Sequence, residues 1–159
     1  MSDHEDRPCA LCMSRRALLR GSAAGALVIA IGPAGCGGGA APPSGPIPAG
    51  NLTDVAVGTI KVIPGENVIL GRDQDGLYAM SQVCTHAGQL VGVVSTTGDP
   101  TAGIFCAAHG SAFDGNGAVT HGPAGAPLPH YAVDLAADGS ITIQGAQIVA
   151  ADVRTPAVG

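Results

Sequence analysis

The chain has 159 residues and a formal net charge of -5, and only 12% of its residues are charged. Aromatic residues make up 3%, tryptophan is absent, and glycine and proline number 25 and 12. The length suits one domain with one core, the turn-rich composition speaks against a helical bundle, and the acidic balance offers nucleic acid no footing.

Ser14-Arg15-Arg16-Ala17-Leu18-Leu19-Arg20 resembles a twin-arginine export signal. The uncharged stretch from Gly21 to Gly35 follows, with Leu27 to Ile31 as its apolar centre. It is short and glycine-rich, so it suits a signal segment better than a spanning helix. Signals of this type are receptor-read addresses for proteins exported already folded, which fits a cofactor inserted in the cytoplasm. Ala34-Gly35-Cys36 resembles the end of a bacterial lipoprotein cleavage box, although Pro33 stands where an aliphatic residue is expected. Cys36 is therefore a candidate for lipid attachment; a soluble periplasmic product and a retained anchor are the alternatives. Cys9-x-x-Cys12, with His4 nearby, lies in the leading segment and reads as incidental.

The expected organisation is a signal or N-terminal anchor over 1–35, a Gly/Pro-rich linker over 36–50 and a globular domain over 51–150. The linker reads GGGAAPPSGPIPAG from Gly37 to Gly50. A flexible segment of that length spans roughly 20 Å and would let a head domain swing.

From Asn51 onward short strands alternate with turns. Val55 to Ile63 is rich in β-branched residues and stops at Pro64-Gly65. Val68-Ile69-Leu70 and Leu77-Tyr78-Ala79-Met80 flank Asp75-Gly76, a hairpin signal. Leu90 to Ser95 and Gly103 to Phe105 are expected to be strands that carry two loops. Tyr131, Val133 and Leu135 alternate with smaller or polar residues, Asp138-Gly139 turns the chain, and Ile141 and Ile143 alternate in turn. Period-two alternation beside Asp-Gly turns predicts an antiparallel sheet with a buried face. No long helix is expected after Gly35.

The chemistry concentrates in two boxes, Cys84-Thr85-His86 and Cys106-Ala107-Ala108-His109-Gly110-Ser111. Each supplies one thiolate and one imidazole. Two Cys and two His can hold structural zinc as well as iron and sulfide, so ligand identity alone leaves both open. His121 and His130 read as surface or packing residues, and Met80 as core. No Ser-His-Asp set, carboxylate pair or phosphate loop stands out.

Together with their neighbours the boxes resemble the Rieske family, in which two loops clamp a [2Fe-2S] cluster. Gly110-Ser111 follows His109 as in the high-potential branch, and His121-Gly122-Pro123-Ala124-Gly125-Ala126-Pro127-Leu128 resembles the family's proline loop. The resemblance covers roughly Val55 to Ile143. It implies an all-β, antiparallel sandwich or barrel with a two-loop cluster-binding subdomain, and one [2Fe-2S] cluster per chain. Cys84 and Cys106 would ligate the inner iron, His86 and His109 the outer one, and the Ser111 hydroxyl would bond a bridging sulfide. Two ferric ions and two sulfides carry about +2, which two thiolates neutralise, so this ligand set takes an electron at about -150 to +300 mV. Each ligating imidazole keeps a second nitrogen for a proton, so electron uptake favours proton uptake.

Two positions depart from the pattern. Quinol-oxidising members usually add a cysteine to each loop as a disulfide brace; Gln89 (or Gly88) and Ala108 stand there instead. High-potential members often place a tyrosine where Phe113 stands, so a hydrogen bond to sulfur is lost and an intermediate potential is expected.

The expected role is electron transfer on the periplasmic side of the cytoplasmic membrane, as a subunit of an oxidoreductase complex rather than a stand-alone catalyst. The resemblance implies the iron-sulfur subunit of a quinol-oxidising cytochrome bc-type complex, with cytochrome b, a c-type cytochrome and quinol as partners. Membrane association would come from the N-terminal segment or a lipid on Cys36. The alternatives are the small subunit of a periplasmic molybdenum oxidase such as arsenite oxidase, a Rieske-type ferredoxin, and a zinc-stabilised lipoprotein binding module.

Overall fold

The computed structural model describes residues 39–94 and 103–157. The twin-arginine segment, the Cys9-x-x-Cys12 pair and Cys36 lie outside the described residues. Among those residues there is no α-helix and no helix long and apolar enough to cross a membrane.

Among the described residues ten strands form two antiparallel sheets. The larger sheet is curled and contains β1 (Pro46–Asn51), β2 (Thr59–Ile63), β3 (Val68–Arg72), β4 (Leu77–Ser81), β9 (His130–Leu135) and β10 (Ser140–Val149), in the order β1-β10-β9-β4-β3-β2. The smaller sheet, β5 (Gly92–Val93), β6 (Ile104–Phe105), β7 (Ala112–Phe113) and β8 (Val119–His121), pairs in chain order and is inserted between β4 and β9. The all-β antiparallel expectation is met, and the two boxes fall between β4 and β5 and between β6 and β7.

β3 and β4 explain how one small domain supports two cores. Both strands are buried on both faces, so they read as unbroken apolar runs. Side-chain alternation sends Val68, Leu70, Leu77 and Ala79 into one core with Ile47, Val133, Ile141 and Ile143. It sends Ile69, Tyr78 and Met80 into the other, which also contains Cys84, Cys106, Phe113 and Leu128. Gly71 makes the Tyr78 placement possible: a β-carbon there would lie 2.2 Å from the Tyr78 ring. The Tyr78 hydroxyl then donates to the Gly115 carbonyl in the β7–β8 turn, tying the two sheets together. Burial, with the Asp73 carboxylate adding to it, pushes the Tyr78 pKa up to about 12, so this donor keeps its proton at any physiological pH.

Several boundaries differ from the sequence expectation, among them the strand expected from Leu90, which is only β5 over Gly92–Val93 while Leu90 makes an isolated bridge to Val83. Residues 46–50, assigned to the linker by composition, are strand β1, paired to β10 from Pro46↔Gln144 to Asn51↔Ser140. Ile47 and Ala49 point inward, while Pro46 and Pro48 are tolerated because β1 is an edge strand. The strand expected over 55–63 begins only at Thr59. Before it, Asn51 caps a 3-10 turn over Leu52–Asp54 and Gly58 takes a positive φ of 83°. The domain also runs past residue 150. Thr155 bridges Leu77, and Arg154 pairs with Asp73 at 2.6 Å, donates to Asn116 and lies 4.2 Å above the Tyr78 ring.

Candidate metal centre

Both boxes fold into the same kind of loop. In the first, the Cys84 N–H donates to the Gln89 carbonyl at 2.8 Å and the Gly88 N–H donates to the Cys84 carbonyl at 2.9 Å. In the second, the Cys106 N–H donates to the Ser111 carbonyl at 2.8 Å and the Gly110 N–H donates to the Cys106 carbonyl at 2.9 Å. Gly88 and Gly110 each lie four residues after the cysteine, with φ of 73° and 82°. An L-residue is strained there, so a glycine lets each loop close upon its own cysteine. In the sequence Gly88 stands out only as a place for a missing cysteine. The shared Cys-to-Gly spacing was the signal for its role.

The loops sort their donors by depth. Cys84 and Cys106 are 2% and 1% exposed, sit in the second core and form no disulfide. His86 and His109 are exposed. Their rings meet edge to face with centroids 4.9 Å apart. All four residues singled out from the sequence are thus brought to one end of the smaller sheet, thiols beneath and imidazoles above. Among the described residues no three His, Cys, Asp or Glu side chains gather around a single ion.

A third loop, between β8 and β9, is attached to both boxes. The Ala124 N–H donates to the buried Ser111 Oγ at 3.0 Å. Because Ser111 accepts in that bond, its own hydroxyl proton remains available to another acceptor. The Thr85 hydroxyl donates to the Ala126 carbonyl at 2.6 Å. Ala124 and Leu128 are buried in the core that holds both cysteines. Sequence alone did not single out Thr85; a hydroxyl between two candidate ligands was its only signal. Phe113 is 1% exposed in the same core and carries no hydroxyl.

The two further histidines stay out of the centre. His121 is exposed at the end of β8. His130 is buried, and its Nδ1 donates to the Leu128 carbonyl at 3.1 Å while Nε2 has no partner among the described residues. Burial holds its pKa below the usual histidine value; the Leu128 carbonyl opposes that shift, Arg154 adds to it and Asp114 opposes it.

The Rieske [2Fe-2S] domain model matches residues 46–132, more than half of the chain, and the chain belongs to that family. The family binds a [2Fe-2S] cluster and transfers electrons through it. The donor set fits the group: two buried unbridged thiols, two exposed imidazoles and a buried serine hydroxyl with a proton to donate. No curated protein matches the sequence. Among solved structures, the chain is similar to the ferredoxin of carbazole 1,9a-dioxygenase from Nocardioides aromaticivorans, at 26% identity and a TM-score of 0.46, covering 63% of this chain and 97% of that one. It is similar to the plasma membrane Rieske protein of the cyanobacterium Synechocystis, at 26% identity and a TM-score of 0.47, covering 61% and 97%. It is also similar to the soluble domain of Rieske protein II from Sulfolobus acidocaldarius, at 20% identity and a TM-score of 0.47, covering 64% and 77%.

Proposed function

We propose that this protein transfers electrons outside the cytoplasmic membrane as the iron-sulfur subunit of a quinol-oxidising cytochrome bc-type complex. It passes them to a c-type cytochrome. The observation that carries the reading is the depth order of the centre: buried Cys84 and Cys106 under the exposed, mutually contacting rings of His86 and His109. A bound [2Fe-2S] group would supply one-electron chemistry at a potential raised by its two histidine ligands.

The chain's own residues divide the remaining work. Cys84 and Cys106 keep their sulfur atoms away from water. His86 and His109 offer ring edges to a partner or to a quinol hydroxyl. Ser111 and Thr85 hold the 121–128 loop against the two boxes, which limits water access from that side. The Arg15-Arg16 signal supports export, and Cys36 supports lipid attachment to the membrane.

The test is quinol-dependent reduction of cytochrome c by native membranes with and without this chain. Loss of that activity on deletion, restored by the parent chain, is expected. Unchanged activity would refute the assignment.

A second reading, the small subunit of an arsenite-oxidase-like molybdenum enzyme, is favoured by two observations. The loops hold no cysteine beyond the two in the centre, and Phe113 fills the aromatic place without a hydroxyl. Loss of periplasmic oxidase activity with intact quinol oxidation would select it.

A further inference from the structure

The segment just ahead of β1 has the composition of a free linker, yet it is bonded to the domain at three points. The Ala40 N–H donates to the Gly88 carbonyl at 2.8 Å. The Asn67 side chain donates to the Ala41 carbonyl at 3.0 Å. The Gly145 N–H donates to the Gly45 carbonyl at 2.8 Å, and a β-carbon on Gly145 would come within 3.1 Å of Pro43.

The first of these contacts falls upon the first ligand loop, two residues beyond His86. Two glycines make it possible. A β-carbon on Gly39 would lie 3.1 Å from the Gly88 Cα, and one on Gly88 would lie 3.0 Å from the Gly39 Cα. No larger residue fits at this crossing without displacing backbone.

We propose that residues 39–45 form a docked arm that braces the first ligand loop from outside. The route is short. Ala40 holds the Gly88 carbonyl, the Gly88 N–H holds the Cys84 carbonyl, and the Cys84 N–H closes the loop on Gln89. One residue separates the arm from the cysteine. The arm acts on Gly88, beside or at the place (Gln89 or Gly88) where a bracing cysteine is missing. Gly39, Ala40 and Asn67 are positioning residues; none of them touches the centre itself. A swing of the domain on this segment then requires release of the arm, and that release loosens the loop that carries His86. The functional consequence rests on the cluster reading of the centre, but the test below reads the loop directly and holds whether or not that reading stands.

The experiment is amide hydrogen exchange on the full chain, comparing the parent with Asn67→Gly and Gly39→Val. Asn67 has a φ of 55°, so glycine keeps its backbone and removes only the side-chain donor. Gly39→Val forces the crossing apart. The amides of Cys84 and Gly88 are expected to exchange about fivefold faster, the effect of one lost neutral hydrogen bond on a local opening. The matching amides of Cys106 and Gly110, which the arm does not touch in the hydrogen-bond pattern, keep the parental rate. Iron release to a chelator from the loaded chain should accelerate with the first pair. Acceleration confined to Cys84 and Gly88 in either variant supports the brace. Parental exchange in both variants, or equal acceleration at Cys106 and Gly110, overturns it. If Gly39→Val does not fold, Asn67→Gly alone decides.

Discussion

The Thr85 hydroxyl donates to the Ala126 carbonyl at 2.6 Å, so the residue between Cys84 and His86 also fastens the loop packed beside them. Thr85→Val keeps the shape and removes the donor. A neutral hydrogen bond contributes about 1 kcal/mol, so the variant should fold with a small loss of stability and let the 121–128 loop open more often. Proteolysis or hydrogen exchange at Gly125 and Ala126 measures this. Parental protection there would show that the bond is not what holds the loop.

Ser111→Ala removes an acceptor from a buried N–H. The Ala124 amide would lose its partner, at a cost of about 1–3 kcal/mol. The hydroxyl proton that Ser111 can offer to sulfur would also go, and hydrogen bonds to sulfur favour the reduced, more negative state. The midpoint potential should therefore fall together with the melting temperature. A lower melting temperature at an unchanged midpoint would confine Ser111 to the loop contact.

Phe113→Tyr tests the opposite change. Phe113 is 1% exposed and packs in the core that contains both cysteines. A hydroxyl added there gives sulfur a donor that the parent lacks, so the midpoint should rise. An unchanged midpoint in a folded variant would rule out the hydrogen-bond account of this position.

His130 gives the domain a pH dependence of known sign. Its pKa is depressed, chiefly by burial, below the ordinary value of about 6.5 that the unfolded chain keeps. Between those two values the unfolded state binds more protons than the native one, so stability rises with pH. The contribution is complete above about pH 6.5 and is lost as pH falls through that value toward the folded one. Denaturant unfolding at pH 5 and pH 7.5 should show the lower stability at pH 5. His130→Gln should flatten that difference, and an equal slope in the variant would assign it to another group.

What was legible in the sequence follows from chemistry that a few residues carry by themselves. Cys84, His86, Cys106 and His109 pointed to a candidate metal centre because few other roles call for those donors at that spacing. The hairpin at Asp75-Gly76 and the strands at Tyr131 to Leu135 and Ile141 to Ile143 were readable because period-two alternation and Asp-Gly turns are local signals. β1 was not readable. Pro46-Ile47-Pro48 reads as linker until β10 is there to pair with it, and only an edge position makes both prolines acceptable. The arm at Gly39 to Gly45 escaped for the same reason: its partners Gly88, Asn67 and Gly145 are distant in sequence. The split of β3 and β4 between two cores was likewise hidden, since a strand buried on both faces shows only an apolar run.

The most direct measurement is metal analysis of the purified full chain together with its EPR spectrum before and after reduction. Two irons per chain are expected, with a signal that appears only on reduction, at a midpoint well above that of plant-type ferredoxins, which lies at about -400 mV. Cys84→Ser and His109→Ala should each abolish that signal. Zinc in place of iron, with no signal after reduction, would contradict this expectation.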